Sequence, residues 1–402
     1  MKALVLDAGA RTAHLSHIPQ PRPGPREFLV QVQAISLNPI DPLYVAHPLA
    51  SSGRTIGSDL ASTIAVLGEP VSLAKGLKEG VKVAGFLQGT CSVNDRPNAF
   101  AEFLVVPSDL VWRVPDGVTT EEAAGISLVA LTAAQAIWYR LGLPAPFEYD
   151  RDAVLDEHPE WTLNIFIYGA STSVGLYAAQ MARLSAKATG KTIRLFGAAS
   201  RAHWQMLQSS PYAYDHLVDY RDNDWPSQIV ALSNEEGMDY VYDYISEGSS
   251  VSLSASTLSE RPGAAMASVR SREGRAWSTA QPLKVEPIYG AVWEGLGEEV
   301  QYQGLTVKAS PAARGFAVKF YEWLGKALGD GLKAAPIRLM PGGLEKVVGD
   351  GFALLGAGGM TNRTVERNEV WMKPTGIPPP FLYQFAQYYI TFLVFSYEHQ
   401  VT

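Results

Sequence analysis

The segment from Asn164 to Ala182 constrains the fold of this chain more than any other feature. A short apolar run, NIFIY, is followed by a turn from Gly169 to Gly175 and then by a stretch rich in small residues. This order predicts a buried parallel strand, a tight turn and a helix packed closely against a sheet. Because a helix start presents unpaired backbone N–H groups and a partial positive charge, we expect the turn to hold a diphosphate group.

Hydroxyl side chains occupy the turn where the usual nucleotide-binding fingerprint has more glycine. They are Ser171, Thr172 and Ser173, and each adds a donor for a phosphate oxygen. Gly-rich turns also join strands to helices in proteins that bind nothing, so the motif alone leaves a simple crossover turn open.

A second predicted strand, residues 192–197, ends in Ala198, Ala199, Ser200 and Arg201. In a nucleotide-binding βαβ unit, an acidic residue at this end accepts the 2′-hydroxyl of NAD, whereas a cation accommodates the 2′-phosphate of NADP. The carboxylate is missing here, and Ser200 and Arg201 stand in its place, with His203 close by. This favours NADP(H), although a solvated arginine at a helix start remains the alternative for Arg201.

Length and composition set the class of protein. With 402 residues, two domains are expected, and 47% hydrophobic against 18% charged residues excludes wholesale disorder. The chain carries 33 Lys and Arg against 40 Asp and Glu with no dense basic stripe, so we expect no nucleic-acid partner.

The sole cysteine, Cys91, excludes an internal disulfide and a thiolate-rich zinc lobe within one chain. A reducing compartment fits, and the N-terminus resembles a strand rather than a signal peptide, so we expect a cytoplasmic protein. The aromatic stretch 381–397 is interrupted by Gln384 and Gln387 and is short for a membrane span, so no membrane contact is expected.

Hydrophobic periodicity divides the chain into two kinds of segment. Residues 1–127 show short alternating runs separated by Gly and Pro, which predicts a small β-barrel. Residues 121–141 have helical spacing, with Thr119 or Thr120 as N-cap. From residue 163 to about 269, predicted strands and helices alternate, which is typical of a parallel sheet covered by helices. The predicted strands here are 165–168, 193–196, 216–219, 240–244 and 264–269, with an edge strand within 285–293 and later helices at 312–328 and 344–355.

Several motifs occur in an order that resembles a known family. They are LNPID at 37–41, IGSD at 56–59, GVKVAG at 80–85, AFAEF at 99–103, LTAA at 131–134, the Gly169 turn, and VDYR at 218–221. Together they resemble the zinc-independent medium-chain dehydrogenases/reductases, close to quinone oxidoreductases and to the trans-acting enoyl reductases of fungal metabolism. The resemblance extends from Met1 to about Met372.

The resemblance implies an α/β chain, with a Rossmann doubly wound parallel sheet and a GroES-like β-barrel catalytic domain. We expect residues 1–128 to form the first part of the catalytic domain, 129–310 the Rossmann domain and 311–375 a return to the catalytic domain. Residues 376–402 form an atypical tail that matches no family pattern, and we interpret the tail as the product of an altered reading frame or a retained intron.

The resemblance also assigns expected roles to individual residues. Ser171, Ser173 and Val174 would lie along the diphosphate, with Gly169, Thr172 and Gly175 completing the turn. Ser200 and Arg201 would lie near the 2′-phosphate, Tyr220 against the adenosine and Thr132 on the nicotinamide side. For Tyr220, a ring that simply covers the sheet edge is an equal alternative.

The segments that hold zinc in metal-dependent relatives contain Asn38 and Gly57-Ser58-Asp59 here, so no metal is expected. Without a metal to polarise a carbonyl, conjugated substrates are favoured, because the charge developed on hydride addition spreads into an enolate. Tyr44 is the candidate proton donor, and a Tyr packed under a loop is the alternative. Asn38 and Asp41 are either site residues or loop caps, and Asp59 is either a site residue or a brace for the turn after Gly57.

The sequence therefore predicts an NADPH-dependent oxidoreductase that reduces activated C=C bonds in enones, enoyl thioesters or quinones. Its candidate catalytic residues are Tyr44, Asn38 and Thr132. The alternatives are a carbonyl reductase or alcohol dehydrogenase of the same fold and a non-catalytic NADPH-binding protein that docks on a synthase. We expect a small-molecule substrate, with a synthase as a further partner, and a monomer or a homodimer. The substrate itself is not readable from the sequence.

Overall fold

The computed structural model describes residues 1–68, 76–90, 96, 98–150, 162–302 and 305–355, together with the backbone of 392–396. These residues form two compact units. The first contains Met1–Leu128, the described part of Trp293–Gly358 and the strand at 392–396, and the second contains Val129–Val292.

The first unit is built on a bent, largely antiparallel sheet. Its seven strands follow the order β16-β17-β3-β4-β5-β7, with β6 paired to one end of β3, and a separate hairpin joins β1 to β2. The strands are β1 (Lys2–Asp7), β2 (Thr12–His17), β3 (Glu27–Leu37), β4 (Asp59–Leu67), β5 (Lys82–Phe86), β6 (Phe103–Pro107), β7 (Val111–Arg113), β16 (Ile337–Met340) and β17 (Phe392–Ser396); a small hairpin joins β14 (Val300–Tyr302) to β15 (Leu305–Val307).

Strand β3 explains how this sheet curves. It pairs with β6 over residues 27–31 and with β17 over residues 34–37, while its other edge follows β4 with two register shifts. Such irregularities bend a strand and increase its twist, which a sheet needs in order to close on itself. Eight of the eleven residues of β3 are buried and the other three, Glu27, Gln31 and Gln33, are half-buried, as the alternating and then apolar sequence FLVQVQAISL predicts.

Helices of the first unit lie at its connections. They are α1 (Ile40–Ala46), α2 (Thr120–Ala124), α8 (Pro311–Ala327), α9 (Gly343–Lys346) and α10 (Phe352–Leu355), and α3 (Ser127–Ala134) leads the chain into the second unit. Helix α8, predicted at 312–328, buries Phe316, Phe320 and Tyr321.

The second unit is a six-stranded parallel sheet of order β10-β9-β8-β11-β12-β13. Numbered by their order along the chain from β8, these strands run 3-2-1-4-5-6, the order of a Rossmann fold. The strands are β8 (Leu163–Tyr168), β9 (Ile193–Ala198), β10 (His216–Val218), β11 (Tyr240–Asp243), β12 (Ala265–Ser268) and β13 (Ile288–Tyr289), and the connecting helices include α4 (Ser173–Thr189), α5 (Trp204–Gln208), α6 (Trp225–Leu232) and α7 (Ser250–Ala255).

The core of the second unit follows from its apolar strands. In β8, five consecutive residues from Leu163 are buried, because helices cover both faces of the sheet. On one face, Phe166, Phe196 and Trp225 pack with Met238 and Met266. The predicted five strands of this region are confirmed to within two residues at each end.

Two of the predicted helices are less regular than expected. The segment 121–141 is divided into α2, which is capped by Gly125, and α3, which continues directly into a π-helical stretch, Gln135–Arg140. Thr119 is confirmed as the N-cap, since its hydroxyl accepts from the N–H of Glu122 while the Glu122 carboxylate accepts from the N–H of Thr119. The helix at 344–355 contains a π-helical stretch at Val347–Gly351.

Part of the tail contributes to the first unit. The backbone of β17 runs parallel to β16 and antiparallel to β3, so it connects β16 to the rest of the sheet. The remaining residues of 376–402 lie outside the described residues, as do residues 151–161. Among the residues that are described, no helix is both long enough and apolar enough to cross a membrane.

Candidate coenzyme site and buried polar network

The turn that joins β8 to α4 has the geometry of an anion-binding helix start. Gly169 has a φ of +84°, a value that favours glycine, and Thr172 is the N-cap of α4. The Thr172 hydroxyl accepts from the N–H of Gly175 at 3.0 Å, which stops the first turn from fraying. A helix start leaves its first N–H groups without acceptors from within the helix, and α4 begins at Ser173 and is 17 residues long.

Gly175 allows α4 to approach the turn closely. A Cβ at this position would lie 2.4 Å from the carbonyl oxygen of Gly169 and 2.9 Å from that of Ala170. Since real Cβ atoms do not come so near, any other residue would push the helix start away from the turn. The six turn residues predicted from the sequence, Gly169 and Ser171–Gly175, are thus brought together in one compact structure.

A second cluster lies where β9 and β10 end, next to each other in the sheet. Ser200 is buried and follows β9, Arg201 is largely exposed at the start of a short 3₁₀ helix, and Tyr220 is half-buried after β10. The structure therefore brings together the three residues predicted for the adenosine end of the coenzyme.

Residues that the sequence analysis left without a role complete this cluster. Asp219 is buried and accepts two hydrogen bonds from the Arg221 guanidinium, from Nε at 2.8 Å and from Nη2 at 2.6 Å. Arg221 Nη2 also donates to Ser200 Oγ at 3.3 Å, and Arg201 pairs with Asp222 at 3.0 Å. The hydrogen bonds from Arg221 hold the pKa of Asp219 below its usual range. The VDYR motif contained this signal, but its partner Ser200 lies 21 residues away in sequence.

The carboxyl edge of the sheet offers further unpartnered polar atoms. Among the described residues, the hydroxyls of Tyr244 and Ser268 are buried without a hydrogen-bond partner, and they follow or end the neighbouring strands β11 and β12. Coenzymes bind at this edge in open α/β folds. With the Gly169 turn and the Ser200 cluster, these hydroxyls fit a dinucleotide, whose polar groups would satisfy such atoms.

Asp243, at the end of β11, shapes the loop beside the turn. Its carboxylate accepts from the N–H groups of Ile245 and Ser246 and from the hydroxyl of Ser250. Burial raises the pKa of Asp243 to about 6. A Cβ at Gly169 would touch the Ile245 side chain at 3.2 Å, so this loop packs directly against the turn.

The first unit contains four buried polar residues that bond to one another, called here the Asn38 network: Asn38, Asp41, Ser58 and Asp59. The Asn38 backbone N–H donates to Asp41 Oδ2 at 2.7 Å, and the Asn38 side-chain amide donates to Asp59 Oδ2 at 2.9 Å. Ser58 Oγ donates to Asp41 Oδ1 at 2.7 Å, and the Leu128 N–H donates to Asp59 Oδ1 at 3.0 Å.

The two carboxyl groups of this network are held in an environment that disfavours charge. Burial raises the pKa of Asp41 to about 7 and raises the pKa of Asp59 well above its ordinary value, and the nearby Asp41 adds to the shift at Asp59. Gly57, which precedes Ser58, has a φ of +94° and packs against Phe100, since a Cβ there would lie 2.1 Å from the Phe100 ring.

The candidate catalytic residues lie in different elements. Tyr44 is on α1, buried, with its ring centroid 6.0 Å from that of Trp293. A Cβ at Gly89 would lie 3.2 Å from both the Tyr44 ring and Ser58 Oγ, so these two groups flank Gly89. Asn38 precedes α1, and Thr132 is buried on α3 in the second unit.

Asp41 accepts a hydrogen bond from the Asn38 N–H, which is what its alternative role as a loop cap predicts. Asp59 accepts from the Leu128 N–H and from the Asn38 side-chain amide.

Residues in the described part of the chain include no group of three or more His, Cys, Asp or Glu side chains that could hold a metal ion. Cys91 lies outside the described residues. In the segments where zinc-dependent relatives bind metal, Asn38 Nδ2 donates to Asp59 Oδ2 and Ser58 Oγ donates to Asp41 Oδ1.

Comparison with known proteins agrees with this architecture. Residues 24–116 match the family model of the alcohol dehydrogenase GroES-like domain. The trans-enoyl reductase ACTTS2 of Alternaria alternata is 30% identical over 262 residues, which is 65% of this chain and 70% of that protein. The trans-enoyl reductase traG of Penicillium crustosum is 26% identical over 347 residues, 86% of this chain and 91% of that protein.

A solved structure shares the fold. The mycobacterial protein Rv1454c, determined in complex with NADPH, superposes with a TM-score of 0.61 at 19% identity, over 87% of this chain and 94% of that one. A Rossmann unit with a coenzyme turn and a GroES-like unit define an oxidoreductase that uses a nicotinamide coenzyme. The chain belongs to the zinc-independent branch of the medium-chain dehydrogenase/reductase family.

Proposed function

We propose that this protein is an NADPH-dependent reductase of conjugated C=C bonds in enones, enoyl thioesters or quinones. The observation that carries the proposal is the pairing of two features. One is the Ser200 cluster with two arginines, which suits a 2′-phosphate, and the other is the Asn38 network in the segments that hold zinc in related enzymes. The names of the fungal relatives and the NADPH complex of Rv1454c support the same activity.

The turn residues are proposed to bind the diphosphate of the coenzyme. The N–H groups at the start of α4 would donate to phosphate oxygens, with the hydroxyls of Ser171 and Ser173 as further donors and Val174 beside them. Thr172 and Gly175 hold the helix start in place, and Gly169 allows the chain to enter it. Ser200 and Arg201 would contact the 2′-phosphate and Tyr220 the adenosine.

When bound, reduced nicotinamide supplies the hydride. The negative charge that develops on the substrate spreads into an enolate, which a few hydrogen-bond donors can stabilise. We propose Tyr44 as the residue that donates a proton to the enolate carbon. Asn38 would fix the start of α1, the helix that carries Tyr44, because the Asn38 side chain is bonded to Asp59. Thr132 would lie on the nicotinamide side.

The test uses the purified full chain with NADPH and a panel of enones, quinones and enoyl thioesters, with simple ketones and aldehydes alongside. We expect NADPH oxidation with at least one conjugated class and little with simple carbonyls. Tyr44→Phe is the matched variant, since it keeps the ring that packs near Trp293 and removes only the hydroxyl. It should lower kcat about 10²-fold or more while leaving the NADPH Kd unchanged.

Three outcomes would contradict the proposal. Turnover of simple carbonyls alone would favour a carbonyl reductase. Tight NADPH binding without turnover on any substrate, with a larger protein co-purifying, would favour a binding protein that acts on a synthase. Stoichiometric zinc in the purified protein would contradict a metal-free mechanism.

A further inference from the structure

The carboxylate of Asp219 lies next to the position proposed for the adenosine ribose, yet it is fully engaged within the protein. Asp219 Oδ1 accepts from the backbone N–H of Arg221 at 3.1 Å and from Arg221 Nε at 2.8 Å, and Oδ2 accepts from Arg221 Nη2 at 2.6 Å. Arg201 adds a backbone hydrogen bond, and its Nε lies 3.7 Å from Oδ2. The Asp219 side chain is only 4% exposed.

The location of this ion pair gives it a consequence for coenzyme choice. Ala198 of β9 pairs with Val218 of β10, so Ser200 and Asp219 follow neighbouring strand ends. Arg221 Nη2 bridges the two, since it donates to both Ser200 Oγ and Asp219 Oδ2. In a nucleotide-binding βαβ unit, a carboxylate after the second strand accepts the 2′-hydroxyl of NAD, and a carboxylate close to a 2′-phosphate repels it. Asp219 lies beside that position, after the adjacent strand β10.

We propose that Arg221 determines coenzyme specificity by covering the Asp219 carboxylate, so that Asp219 neither accepts the 2′-hydroxyl of NADH nor repels the 2′-phosphate of NADPH. This inference rests on the proposed NADPH dependence. Arg221 suits the role because its planar guanidinium binds a carboxylate through two parallel hydrogen bonds, a geometry that lysine does not reproduce.

The position of the Arg221 side chain determines what its removal would do to Asp219. Its side chain is about half exposed, and its guanidinium lies 5.7 Å from the Tyr220 ring centroid. In Arg221→Leu, Asp219 keeps its hydrogen bonds from the backbone N–H groups of Arg201 and of residue 221. Removing Arg221 should therefore expose Asp219 in place rather than let it swing away.

The experiment measures the dissociation constants of NADPH and NADH by fluorescence titration of the full-length protein, in the wild type and in Arg221→Leu. We expect Arg221→Leu to weaken NADPH binding at least 10-fold and to strengthen NADH binding at least 3-fold. In the double variant Arg221→Leu with Asp219→Asn, the gain in NADH affinity should disappear, because the exposed carboxylate is gone.

Arg221→Lys is the control for misfolding of Arg221→Leu. Lysine keeps a positive charge beside buried Asp219 but cannot form the two parallel hydrogen bonds. It should shift the ratio of the two dissociation constants in the same direction by a smaller factor. Arg272→Leu is the matched control in the same unit, because Arg272 also pairs with a carboxylate, Glu286, and lies over an aromatic ring, yet far along the chain from the cluster. It should leave both constants unchanged.

The inference is overturned if Arg221→Leu and Arg221→Lys leave NADH affinity unchanged while NADPH binding weakens, because Arg221 would then be a phosphate contact alone. It is also overturned if both coenzymes weaken equally. The proposed function fails at its coenzyme, and this inference with it, if the wild-type protein binds NADH more tightly than NADPH. If the wild type prefers NADPH and only the variants behave otherwise than expected, this inference fails alone.

Discussion

At the scale of single residues, the charged groups at the ends of β9 and β10 show how much depends on contacts between distant parts of the chain. Ser200 and Arg201 lie in one segment of the sequence, and a second segment contains Asp219, Arg221 and Asp222. The sequence alone predicts a cation near the ribose. It does not show that each arginine is paired with a carboxylate, because that depends on how the two strands align.

We predict that Arg201→Ala weakens NADPH binding about 10-fold or more and leaves NADH binding nearly unchanged, because a charge-assisted hydrogen bond to phosphate contributes about 1.5–3 kcal/mol. Arg201 is largely exposed, so its loss should not disturb folding. Fluorescence titration with both coenzymes measures the effect. An equal loss for NADPH and NADH would show that Arg201 supports the fold of the site rather than the 2′-phosphate.

Asp41 makes the stability of the first unit depend on pH. Burial raises the pKa of Asp41 from an ordinary value of 3.8 to about 7 in the folded protein. The unfolded chain therefore loses the Asp41 proton first as the pH rises. The stabilising contribution is complete below about pH 4 and is lost as the pH rises to about 7, at about 1.4 kcal/mol per pKa unit.

We predict that Asp41→Asn reduces the fall in thermal unfolding midpoint between pH 5 and pH 8. An asparagine resembles the protonated acid, since its oxygen can accept from the Asn38 N–H while its amide donates to Ser58 Oγ. Some pH dependence should remain, because the pKa of Asp59 is raised as well. Asp116→Asn, at an exposed position, is the control. An unchanged slope in Asp41→Asn would refute the assignment.

At the scale of elements, the strand–turn–helix segment was predictable because its residues are consecutive. The apolar run, the glycines and the small residues of α4 specify burial, a left-handed turn and close packing within one stretch of chain. The Asn38 network could not be predicted in the same way. Its members come from the end of β3, from α1 and from the start of β4, and Asp59 also binds the N–H of Leu128.

Gly175→Ala tests the close approach of α4 to its turn. The added Cβ would lie 2.4 Å from the Gly169 carbonyl oxygen, so the helix start must move and the unfolding free energy should fall by about 1–3 kcal/mol. Both coenzymes share the diphosphate, so we expect NADPH and NADH affinities to fall by similar factors. Calorimetry and titration give the two quantities.

The control for this variant is Gly315→Ala. Gly315 is exposed in the interior of α8, and a Cβ there meets nothing within 4 Å. Since alanine is the better helix former, this change should stabilise the protein by about 0.5–1 kcal/mol and leave coenzyme binding unchanged. Loss of NADPH affinity alone in Gly175→Ala would contradict a diphosphate role for the turn.

At the scale of the whole molecule, the first unit is assembled from three separate stretches of chain. The sequence predicts its first stretch well, because alternating strands and turn residues are local signals. The sequence does not predict the last stretch, because residues 376–402 match no pattern of the family. A five-residue strand cannot be assigned from sequence before its neighbouring strands are known. The structure supplies those neighbours, because β17 pairs with β3 on one side and β16 on the other.

We predict that this strand stabilises the first unit and that the effect depends on its backbone. Val394 pairs with Ser36 of β3 and with Leu339 of β16, so it is central in the sheet. Proline lacks an N–H and is excluded from central strands, so Val394→Pro should lower the thermal unfolding midpoint of the full chain by several degrees, as a loss of about 2–3 kcal/mol implies.

The control is Val394→Thr, which keeps the N–H and the β-branched shape and should have a much smaller effect. Hydrogen exchange locates the change, with faster exchange expected at Ala34–Leu37 in Val394→Pro alone. Equal midpoints for both variants would mean that the tail does not form this strand. The interpretation of residues 376–402 as the product of an altered reading frame would then be the simpler account. Mass spectrometry of the C-terminal peptides of the natural protein tests that interpretation.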